Sequence, residues 1–581
     1  MTFLRWLIAH LDKPGAAMKV IAIAFVLASP SLLSPLVADD LIHQIRIDPT
    51  QPIPGWDDPN GPYFVFADGT AEQRAQLMQE GVFSWWTAED FKLAFWRPIS
   101  EATHRLDDTL FGENSVLIHL HSLLWFALVL LALSRLYERF HMSRVAVLAL
   151  CIYALDDTRG MVLGFASNRN ALIAVFFSVC TLIAHDRWRR DGWSPGAYLG
   201  PLIFVAALLS GEFAIATTAY LFAYALFIDE HTLKRRVMSL LPYALLTVTW
   251  ALLYRYQGYG TMNSGIYIHP LADPIGFFSK LIERLPVLVL GQVAGLPSDL
   301  GLLYPPAIKA VILLLGGGLV IGLAWLLVPL MKRSRVLSFW VVGATLSLLP
   351  VCATFTNDRL LGMIAIGASG ALAVLMAYAI ERPASRGARI GISALVTVHL
   401  VLAPLALPVR SMTMNLLNSV HERTNAAIPA DDSVTQRTLV IPQALSDGSV
   451  CYHPIRRAAN HTPRPKAMRL LSTGYQRVDV TRLDLYTLSV EPEQGFYATE
   501  GEQMTRHPSL PFAVEDRVEL SDMRVTITKV NAHGRAMSAE FRFDAPLEAP
   551  KWLWMQFVSG HTLEPWTPPA LGERATLPPL L

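Results

Sequence analysis

The 581-residue chain is apolar and nearly neutral: 52% of its residues are hydrophobic, 16% are charged, and the formal net charge is +1 at pH 7. Soluble globular domains carry about 25% charged residues, so this composition indicates a membrane protein. The near-neutral net charge gives no indication of nucleic-acid binding, and we expect no nucleic-acid partner.

Eleven apolar runs follow one another along the chain, each near the ~20 residues that cross the hydrocarbon core of a bilayer. They begin near Ala16, Asn114, Ser143, Ala171, Ala197, Glu212, Arg236, Ile308, Val336, Leu360 and Gly387. We therefore predict a polytopic α-helical membrane protein with about 11 transmembrane helices. The first run is interpreted as an uncleaved helix because it is long for a signal peptide. The shorter run Leu285–Ala294 is predicted to be re-entrant or to lie along the membrane surface.

Lysine and arginine concentrate in alternate loops between these predicted spans. The six clusters are Arg5/Lys13/Lys19, Arg135/Arg139/Arg144, Arg187/Arg189/Arg190, Lys234/Arg235/Arg236, Lys332/Arg333/Arg335 and Arg382/Arg386/Arg389. Because such residues are enriched in cytoplasmic loops, the N-terminus is predicted to be cytoplasmic and, with an odd number of spans, the C-terminus external. This pattern favours a multi-pass protein of a bacterial inner membrane with a periplasmic C-terminal domain.

The first external loop, residues 39–113, has the opposite charge balance, with 14 acidic residues against five basic ones. It also carries four tryptophans, which are Trp56, Trp85, Trp86 and Trp96. Aromatic residues at this density indicate a structured loop whose surface lies on the membrane or stacks on a ligand.

Beyond about Arg410 the chain becomes more polar, and short β-branched or alternating segments replace the apolar runs. The predicted strands are Thr438–Ile441, Leu483–Val490, Arg524–Val530, Ala536–Phe543 and Trp552–Val558. We therefore divide the chain into a transmembrane domain, residues 1–409, and a C-terminal β-rich soluble domain, residues 410–581.

Two adjacent carboxylates, Asp39 and Asp40, directly follow the first predicted span. Such a pair can act as the general base for an acceptor hydroxyl, or hold a divalent cation such as Mg²⁺ or Mn²⁺. The alternative is an acidic helix end that faces solvent. The pairs at 57–58 and 107–108 are interpreted as solvated loop surface.

Other polar residues also occur at the predicted outer ends of helices, where they either decorate the interface or face a protected cavity. The guanidinium groups of Arg97, Arg169 and Arg359 suit a phosphate, with snorkelling to lipid headgroups as the alternative. Glu212 lies between apolar segments, where a carboxylate is costly unless it is paired, and Arg169 is its predicted partner. His119 and His121 lie two residues apart on one predicted helix, so at most one of them can point inward.

Several short motifs share this outer side. They are Phe95-Trp96-Arg97-Pro98-Ile99, His104, Asp107-Asp108, Leu117–His121, Ala154-Leu155-Asp156-Asp157, Gly164–Arg169, Leu209-Ser210-Gly211-Glu212 and Asn357-Asp358-Arg359. Their order resembles that of the GT-C superfamily of lipid-linked-sugar glycosyltransferases. The closest resemblance is to bacterial relatives of the transmembrane and tetratricopeptide-repeat O-mannosyltransferases, and it covers residues 20–380.

The resemblance implies a GT-C-like membrane domain and assigns the family roles to Asp39-Asp40, Arg97-Pro98, Arg169 and Glu212. Two departures accompany it. Asp156-Asp157 stands where the relatives have His-Pro, and Gly211-Glu212 stands where they have Lys-Glu. Mannose and protein acceptors are therefore not carried over.

The hypothesis from these observations is sugar transfer from a polyprenyl-phosphate donor to a protein, lipid or glycan acceptor, with inversion at the anomeric carbon. The donor phosphate is assigned to the three arginines, and His104 is included among the substrate-binding residues. The membrane lipids are the other expected partners. The alternatives are a polymerase or ligase of lipid-linked glycans, a transporter, and a non-catalytic envelope-assembly protein. The Gly-rich segment Gly258–Pro270 is interpreted as a sugar- or lipid-covering loop or a flexible connector.

Overall fold

The structure is a computed structural model, and it describes residues 10–48, 50–302, 306–381, 386–474, 476–559 and 562–580. These residues form two compact units. The helical unit comprises the described parts of 1–36, 95–259 and 269–415, and the β-rich unit comprises those of 37–94, 260–268 and 416–581. The structure thus divides the chain differently from the predicted boundary at 409/410, because most of the first loop folds with the C-terminal region.

The helices span both units. In chain order they are α1 (Ala16–Ala28), α2 (Asp39–Ile47), α3 (Ala71–Glu80), α4 (Pro98–Phe111), α5 (Ser115–Phe140), α6 (Ser143–Ala154), α7 (Arg159–Gly164), α8 (Arg169–Asp191), α9 (Gly196–Leu208), α10 (Thr217–Phe227), α11 (Leu233–Tyr256), α12 (Pro274–Ala294), α13 (Pro306–Met331), α14 (Arg335–Val351), α15 (Gly362–Glu381), α16 (Arg386–Thr397), α17 (Ala403–Arg410), α18 (Thr413–Ala426) and α19 (Gly448–Ala459). Of these, α2, α3 and α19 belong to the β-rich unit, as does α18 from Leu416 onward.

Each of the 11 predicted spans coincides with a helical segment. Among the described residues, seven segments are long and apolar enough to cross a membrane, and four apolar helices are shorter. The predicted polytopic α-helical membrane protein is therefore confirmed, while the number of crossings stays a prediction. The run Leu285–Ala294 forms the second half of α12, a 21-residue helix that is not one of the seven.

The outer surface of the helical unit exposes large apolar side chains. In each of the helices α11 and α13, only 11% of the most apolar 18-residue stretch is buried. Leu245, Leu252, Leu314 and Ile321 are between 58% and 76% exposed. An apolar surface of this extent is unfavourable in water and is the surface that a bilayer covers.

The β-rich unit contains 13 strands in the described part of the chain. They are β1 (Val65–Asp68), β2 (Lys92–Ala94), β3 (Gly260–Met262), β4 (Thr438–Ala444), β5 (Ala467–Thr473), β6 (Val478–Arg482), β7 (Thr487–Pro492), β8 (Arg517–Glu519), β9 (Met523–Val530), β10 (Ala536–Phe543), β11 (Trp552–Ser559), β12 (Thr562–Pro565) and β13 (Arg574–Leu577). They form sheets with the orders β1-β2-β3, β13-β6-β7-β10-β9-β8 and β12-β11-β4-β5. The predicted β-rich fold is confirmed, and each of the five predicted segments overlaps a strand.

Helix α19 was not predicted from the sequence. Strands β4 and β5 are parallel neighbours, and parallel strands require a crossover connection, usually a helix. α19 is that connection, and it contains Tyr452 at its fifth residue.

The tryptophans of the first loop do not form the exposed surface that the sequence indicated. Trp56, Trp85 and Trp86 are at most 3% exposed. Trp85 packs edge-on to Phe496, with ring centroids 5.1 Å apart, and its indole nitrogen donates to the carbonyl of Leu471 at 3.1 Å. The prediction was wrong for these three residues. Trp85 and Trp86 lie in the apolar core of the β-rich unit, where large rings bury much apolar surface, and the Trp56 indole donates to the carbonyl of Phe66 at 3.1 Å.

Two other parts of the outer loops are also ordered. In the helical unit, Trp96 stacks on Tyr259 with centroids 6.2 Å apart and an angle of 18°. The Gly-rich segment 258–270 contributes β3, which pairs antiparallel with β2. Part of this segment is therefore a sheet strand and not a flexible connector.

Candidate functional site

The paired carboxylates Asp39 and Asp40 occupy the first turn of α2 in the β-rich unit. Asp40 is 4% exposed, and its Oδ2 accepts a hydrogen bond from the Val37 backbone N–H at 3.2 Å. Asp39 is partly exposed, and its Oδ1 accepts a hydrogen bond from the Tyr452 hydroxyl at 2.8 Å. A helix N-terminus favours negative charge, so both side chains lie where carboxylates are stabilised.

The backbone directly before this pair is strained. Ala38 has φ +51° and ψ −119°, a conformation that residues with a Cβ rarely adopt. Such a residue costs on the order of 1–3 kcal/mol and persists only where the surrounding structure enforces it, most often at a functional site. The strained turn fixes the direction in which Asp39 and Asp40 leave the chain.

Ala38→Gly is expected to raise the thermal stability of the purified protein in detergent. Glycine relieves a strain of about 1–3 kcal/mol, but it loses more conformational entropy on folding than alanine, which costs about 0.5–1 kcal/mol. The net gain in the free energy of unfolding is therefore about 1 kcal/mol. The matched control is Ala75→Gly in the exposed middle of α3, which should lose about 1 kcal/mol. Equal losses in both variants would contradict the strain at Ala38.

Asp39 and Asp40 supply two carboxylates, which do not by themselves complete a set of metal ligands. Within the described ranges, no group of three or more His, Cys, Asp and Glu residues is placed to hold one. One oxygen of each carboxylate already accepts a hydrogen bond. No step below is therefore routed through a metal.

In the helical unit, α4 carries a stripe of buried polar residues. Ser100, His104 and Asp107 are each at most 5% exposed and recur at helical spacing. The Ser100 hydroxyl donates to the carbonyl of Ser210 at 2.7 Å. Leu106 and Leu110 lie away from this stripe and are 49% and 61% exposed. α4 is thus held to its unit by polar contacts and presents its apolar side outward.

Arg169, the first residue of α8, is fully buried and forms an ion pair with Asp107. Its Nη1 lies 2.5 Å from Asp107 Oδ2, and its other nitrogens donate to Ser122 Oγ at 3.0 Å and to the carbonyl of Ile118 at 2.9 Å. The Asp107 Oδ1 atom lies 2.6 Å from His121 Nδ1. Asp107 therefore does not belong to a solvated loop surface, and this correction follows from the burial of α4.

Glu212 pairs with Arg97. The sequence had predicted Arg169 as its partner, and that prediction was wrong. Arg97 Nε donates to Glu212 Oε2 at 2.9 Å, and Arg97 Nη2 lies 2.8 Å from the same oxygen. Arg97 also lies 4.3 Å from the ring centre of Phe95. The pair is 16% and 24% exposed. It joins the start of α4 to the turn that follows α9.

Among the three predicted arginines, Arg359 is the one best placed to bind a ligand. It is partly exposed, lies over the Phe355 ring at 5.5 Å, and donates from Nη1 to Asn168 Oδ1 at 3.2 Å. The Asn168 side chain is 9% exposed, and its Nδ2 has no hydrogen-bond acceptor among the described residues. Arg359 and Asn168 together present N–H groups of the type that bind a phosphate oxygen.

A buried acidic cluster was not recognised as such from the sequence. The Arg410 guanidinium lies 2.7 Å from Asp299, in direct contact with Asp358 and 3.9 Å from Asp157. Burial, reinforced by the neighbouring negative charge of Asp156, raises the pKa of Asp157 to about 6. The adjacent pair Asp156-Asp157 was the available signal, but its partner Arg410 is distant in sequence.

The structure brings together only some of the predicted site residues of the helical unit. Arg97 contacts Glu212, whereas Arg169 and Arg359 have other partners. His104 is buried on the same face of α4 as Asp107. His119 is fully buried with its Nδ1 3.1 Å from the carbonyl of Leu163, so it belongs to the packed interior.

No protein-family model matches the chain, and no curated protein matches it. Among solved structures, it is similar to an oligosaccharyltransferase and to a protein crystallised with a polyprenyl phosphate. The first is the apo oligosaccharyltransferase of Archaeoglobus fulgidus, at 14% identity and a TM-score of 0.43, covering 78% of this chain and 65% of that one. The second is ArnT from Cupriavidus metallidurans bound to undecaprenyl phosphate, at 14% identity and a TM-score of 0.33, covering 79% and 90%.

The same oligosaccharyltransferase tethered to an acceptor peptide gives 14% identity and a TM-score of 0.41, covering 78% of this chain and 64% of that one. This chain thus spans 64–65% of the length of these two oligosaccharyltransferase structures. At this identity and these TM-scores the neighbours assign no residue role, substrate or partner to this chain.

Proposed function

We propose that this chain is an inverting membrane glycosyltransferase that moves a sugar from a polyprenyl-phosphate donor to an acceptor hydroxyl. The observation that carries the proposal is the strained turn at Ala38, which presents the adjacent carboxylates Asp39 and Asp40 at a helix N-terminus. Strain of this kind is stored where a side chain must be held for chemistry. The lipid-facing surface of the helical unit supports a lipid-linked donor.

Asp39 is proposed as the acceptor base. It is partly exposed, whereas Asp40 is buried and bonded to the Val37 backbone. The Asp39 carboxylate takes the proton of the acceptor hydroxyl as the hydroxyl oxygen forms a bond to the anomeric carbon of the sugar. The bond from that carbon to the phosphate oxygen breaks, and polyprenyl phosphate leaves with the electron pair. A single displacement of this kind inverts the anomeric configuration.

Arg359 and Asn168 are proposed to hold the donor phosphate. Arg359 is partly exposed, and the Asn168 Nδ2 has no hydrogen-bond acceptor among the described residues. Arg97, His104, Arg169 and Glu212 are proposed to act by holding α4 in place.

Mg²⁺ or Mn²⁺ on Asp39 and Asp40 is a separate proposal, tested by adding EDTA to the transfer assay and then restoring each metal. The bacterial inner membrane, the cytoplasmic N-terminus and the periplasmic β-rich unit are also proposed, and cysteine accessibility in whole cells tests them.

The test of the function is transfer by the purified protein in liposomes. Undecaprenyl-phosphate-linked mannose, glucose, galactose and 4-amino-4-deoxyarabinose are supplied one at a time, with and without a detergent extract of cell envelopes as acceptor. We expect one donor to give acceptor-dependent release of undecaprenyl phosphate. Absence of release from every donor by a monodisperse protein would contradict the proposal, and growth of a lipid-linked glycan would indicate a polymerase instead.

Arg359→Gln is expected to raise the KM for the active donor about 10- to 100-fold, because a charge-assisted hydrogen bond is worth about 1.5–3 kcal/mol. The kcat should change little if the contact is equally strong in the ground state and the transition state. Arg135→Gln is the matched control, because Arg135 is 77% exposed and pairs only with its helix neighbour Glu138 among the described residues. An unchanged KM in Arg359→Gln would remove this residue from the phosphate site.

A further inference from the structure

The proposed base Asp39 is contacted by a residue from the far end of the chain. Tyr452 lies 413 positions later, and its hydroxyl donates a 2.8 Å hydrogen bond to Asp39 Oδ1. Both residues belong to the β-rich unit. A hydrogen bond that links such distant positions exists only because the C-terminal region folds around the first loop.

The Tyr452 ring is held on a rigid support. It belongs to α19, the crossover that joins the parallel strands β4 and β5. Its ring lies beside that of His421, with centroids 5.7 Å apart and an angle of 31°. His421 is itself 5% exposed. The hydroxyl is therefore delivered to Asp39 from a fixed position, as a preorganised site requires.

We propose that Tyr452 is a positioning residue for Asp39: its hydroxyl holds one carboxylate oxygen and thereby fixes the orientation of the carboxylate that receives the proton. This inference rests on the proposed function, in which Asp39 is the base. The proton taken from the acceptor goes to the Asp39 carboxylate, while the Tyr452 proton stays on its own oxygen. The β-rich unit then contributes directly to catalysis.

Other titratable groups surround this contact, and they define what a pH profile can report. Asp40 follows Asp39 on α2, His421 lies beside Tyr452, and Cys451 precedes Tyr452 on α19. Asp447 stands just before α19, and burial, reinforced by Glu502, raises the pKa of its carboxyl to about 8. Asp447 therefore titrates at higher pH than an ordinary aspartate, whereas burial lowers the pKa of His421 to about 4.

Tyr452→Phe is the first test, with transfer measured from the donor that the liposome assay identifies. The ring stays and only the hydroxyl is lost, so the expected change is a 10- to 100-fold lower kcat, the size of a lost hydrogen bond to a charged group (about 1.5–3 kcal/mol). The KM of the donor should stay within about twofold. A hydrogen bond to the charged form favours that form, so its loss should move the acidic limb of kcat to higher pH by about one unit.

Tyr486→Phe is the matched control, because it removes a phenol hydroxyl from the same unit. The Tyr486 ring lies under Arg542 at 5.6 Å, and its hydroxyl makes no hydrogen bond among the described residues. Its kcat and pH profile should equal those of the unsubstituted protein. If Tyr452→Phe does not fold, 3,5-difluorotyrosine at position 452 keeps the shape and makes a stronger donor, and the acidic limb should then move to lower pH.

Asp39→Asn in the same assay separates the two ideas. Full transfer by Asp39→Asn overturns the assignment of the base and the role of Tyr452 with it. Loss of transfer in Asp39→Asn, with an unchanged kcat and pH profile in Tyr452→Phe or in the fluorinated protein, overturns only the role of Tyr452. A lower kcat without any shift of the acidic limb would also overturn it, because a merely structural residue gives that result.

Discussion

Replacing Asp39 by asparagine is expected to lower the rate of sugar transfer about 10²- to 10⁴-fold, the range that general-base catalysis contributes. Asparagine keeps the size of the side chain and can still accept the Tyr452 hydroxyl bond, but it cannot take a proton from the acceptor. The KM for the donor should change little. Initial rates of undecaprenyl phosphate release in liposomes measure both constants.

Asp40→Asn is the comparison that makes this result specific. The amide oxygen of asparagine can still accept the hydrogen bond from the Val37 N–H, so the turn before α2 should survive. We expect a loss of less than about tenfold, because only a charge one residue from the base is removed. If Asp40→Asn were the inactive variant and Asp39→Asn the active one, the roles of the two carboxylates would be reversed.

Asp107→Asn is expected to destabilise the helical unit by about 3–5 kcal/mol, the cost of leaving a buried ion pair with one partner. Arg169 is fully buried, and its guanidinium faces the Asp107 carboxylate at 2.5 Å. Asparagine preserves the shape and removes the negative charge. A strong fall in the temperature of half-inactivation in detergent, relative to the unsubstituted protein, would be the readout.

Glu101→Gln on the same helix is the matched control. Glu101 pairs with Arg105 at 2.8 Å. These two residues lie one turn apart on the same helix, and both side chains are partly exposed. Exposed pairs of this kind contribute about 0–1 kcal/mol, so the inactivation temperature should hardly change. The double variant Asp107→Leu with Arg169→Met should recover much of the loss, since apolar replacement of both partners is often nearly neutral. Equal stability of Asp107→Asn and Glu101→Gln would contradict the buried ion pair.

The membrane-spanning helices were predictable because their signal is local. A helix in lipid satisfies its own backbone and needs only about 20 consecutive apolar residues. Each of the predicted runs accordingly coincides with a helical segment. The alternating segments of the C-terminal region were predictable for the same reason, because a strand with one buried face alternates in hydrophobicity.

The partners of the buried charges were not predictable. Arg97 and Glu212 lie 115 residues apart, and the sequence provides no distance between them. Glu212 was paired with Arg169 because both flank apolar runs, yet Arg169 is satisfied by Asp107 from α4. Burial of a charge demands a partner, but which partner it receives depends on how the helices pack.

The same distinction applies to the candidate site as a whole. Composition, span length and the Asp39-Asp40 pair by themselves indicated a membrane protein with carboxylates at a helix end. Only the folded chain shows the strain at Ala38, the burial of the loop tryptophans and the hydrogen bond from Tyr452. Hydrophobic length and periodicity are properties of neighbouring residues, whereas strain, burial and long-range hydrogen bonds arise only when distant segments pack together.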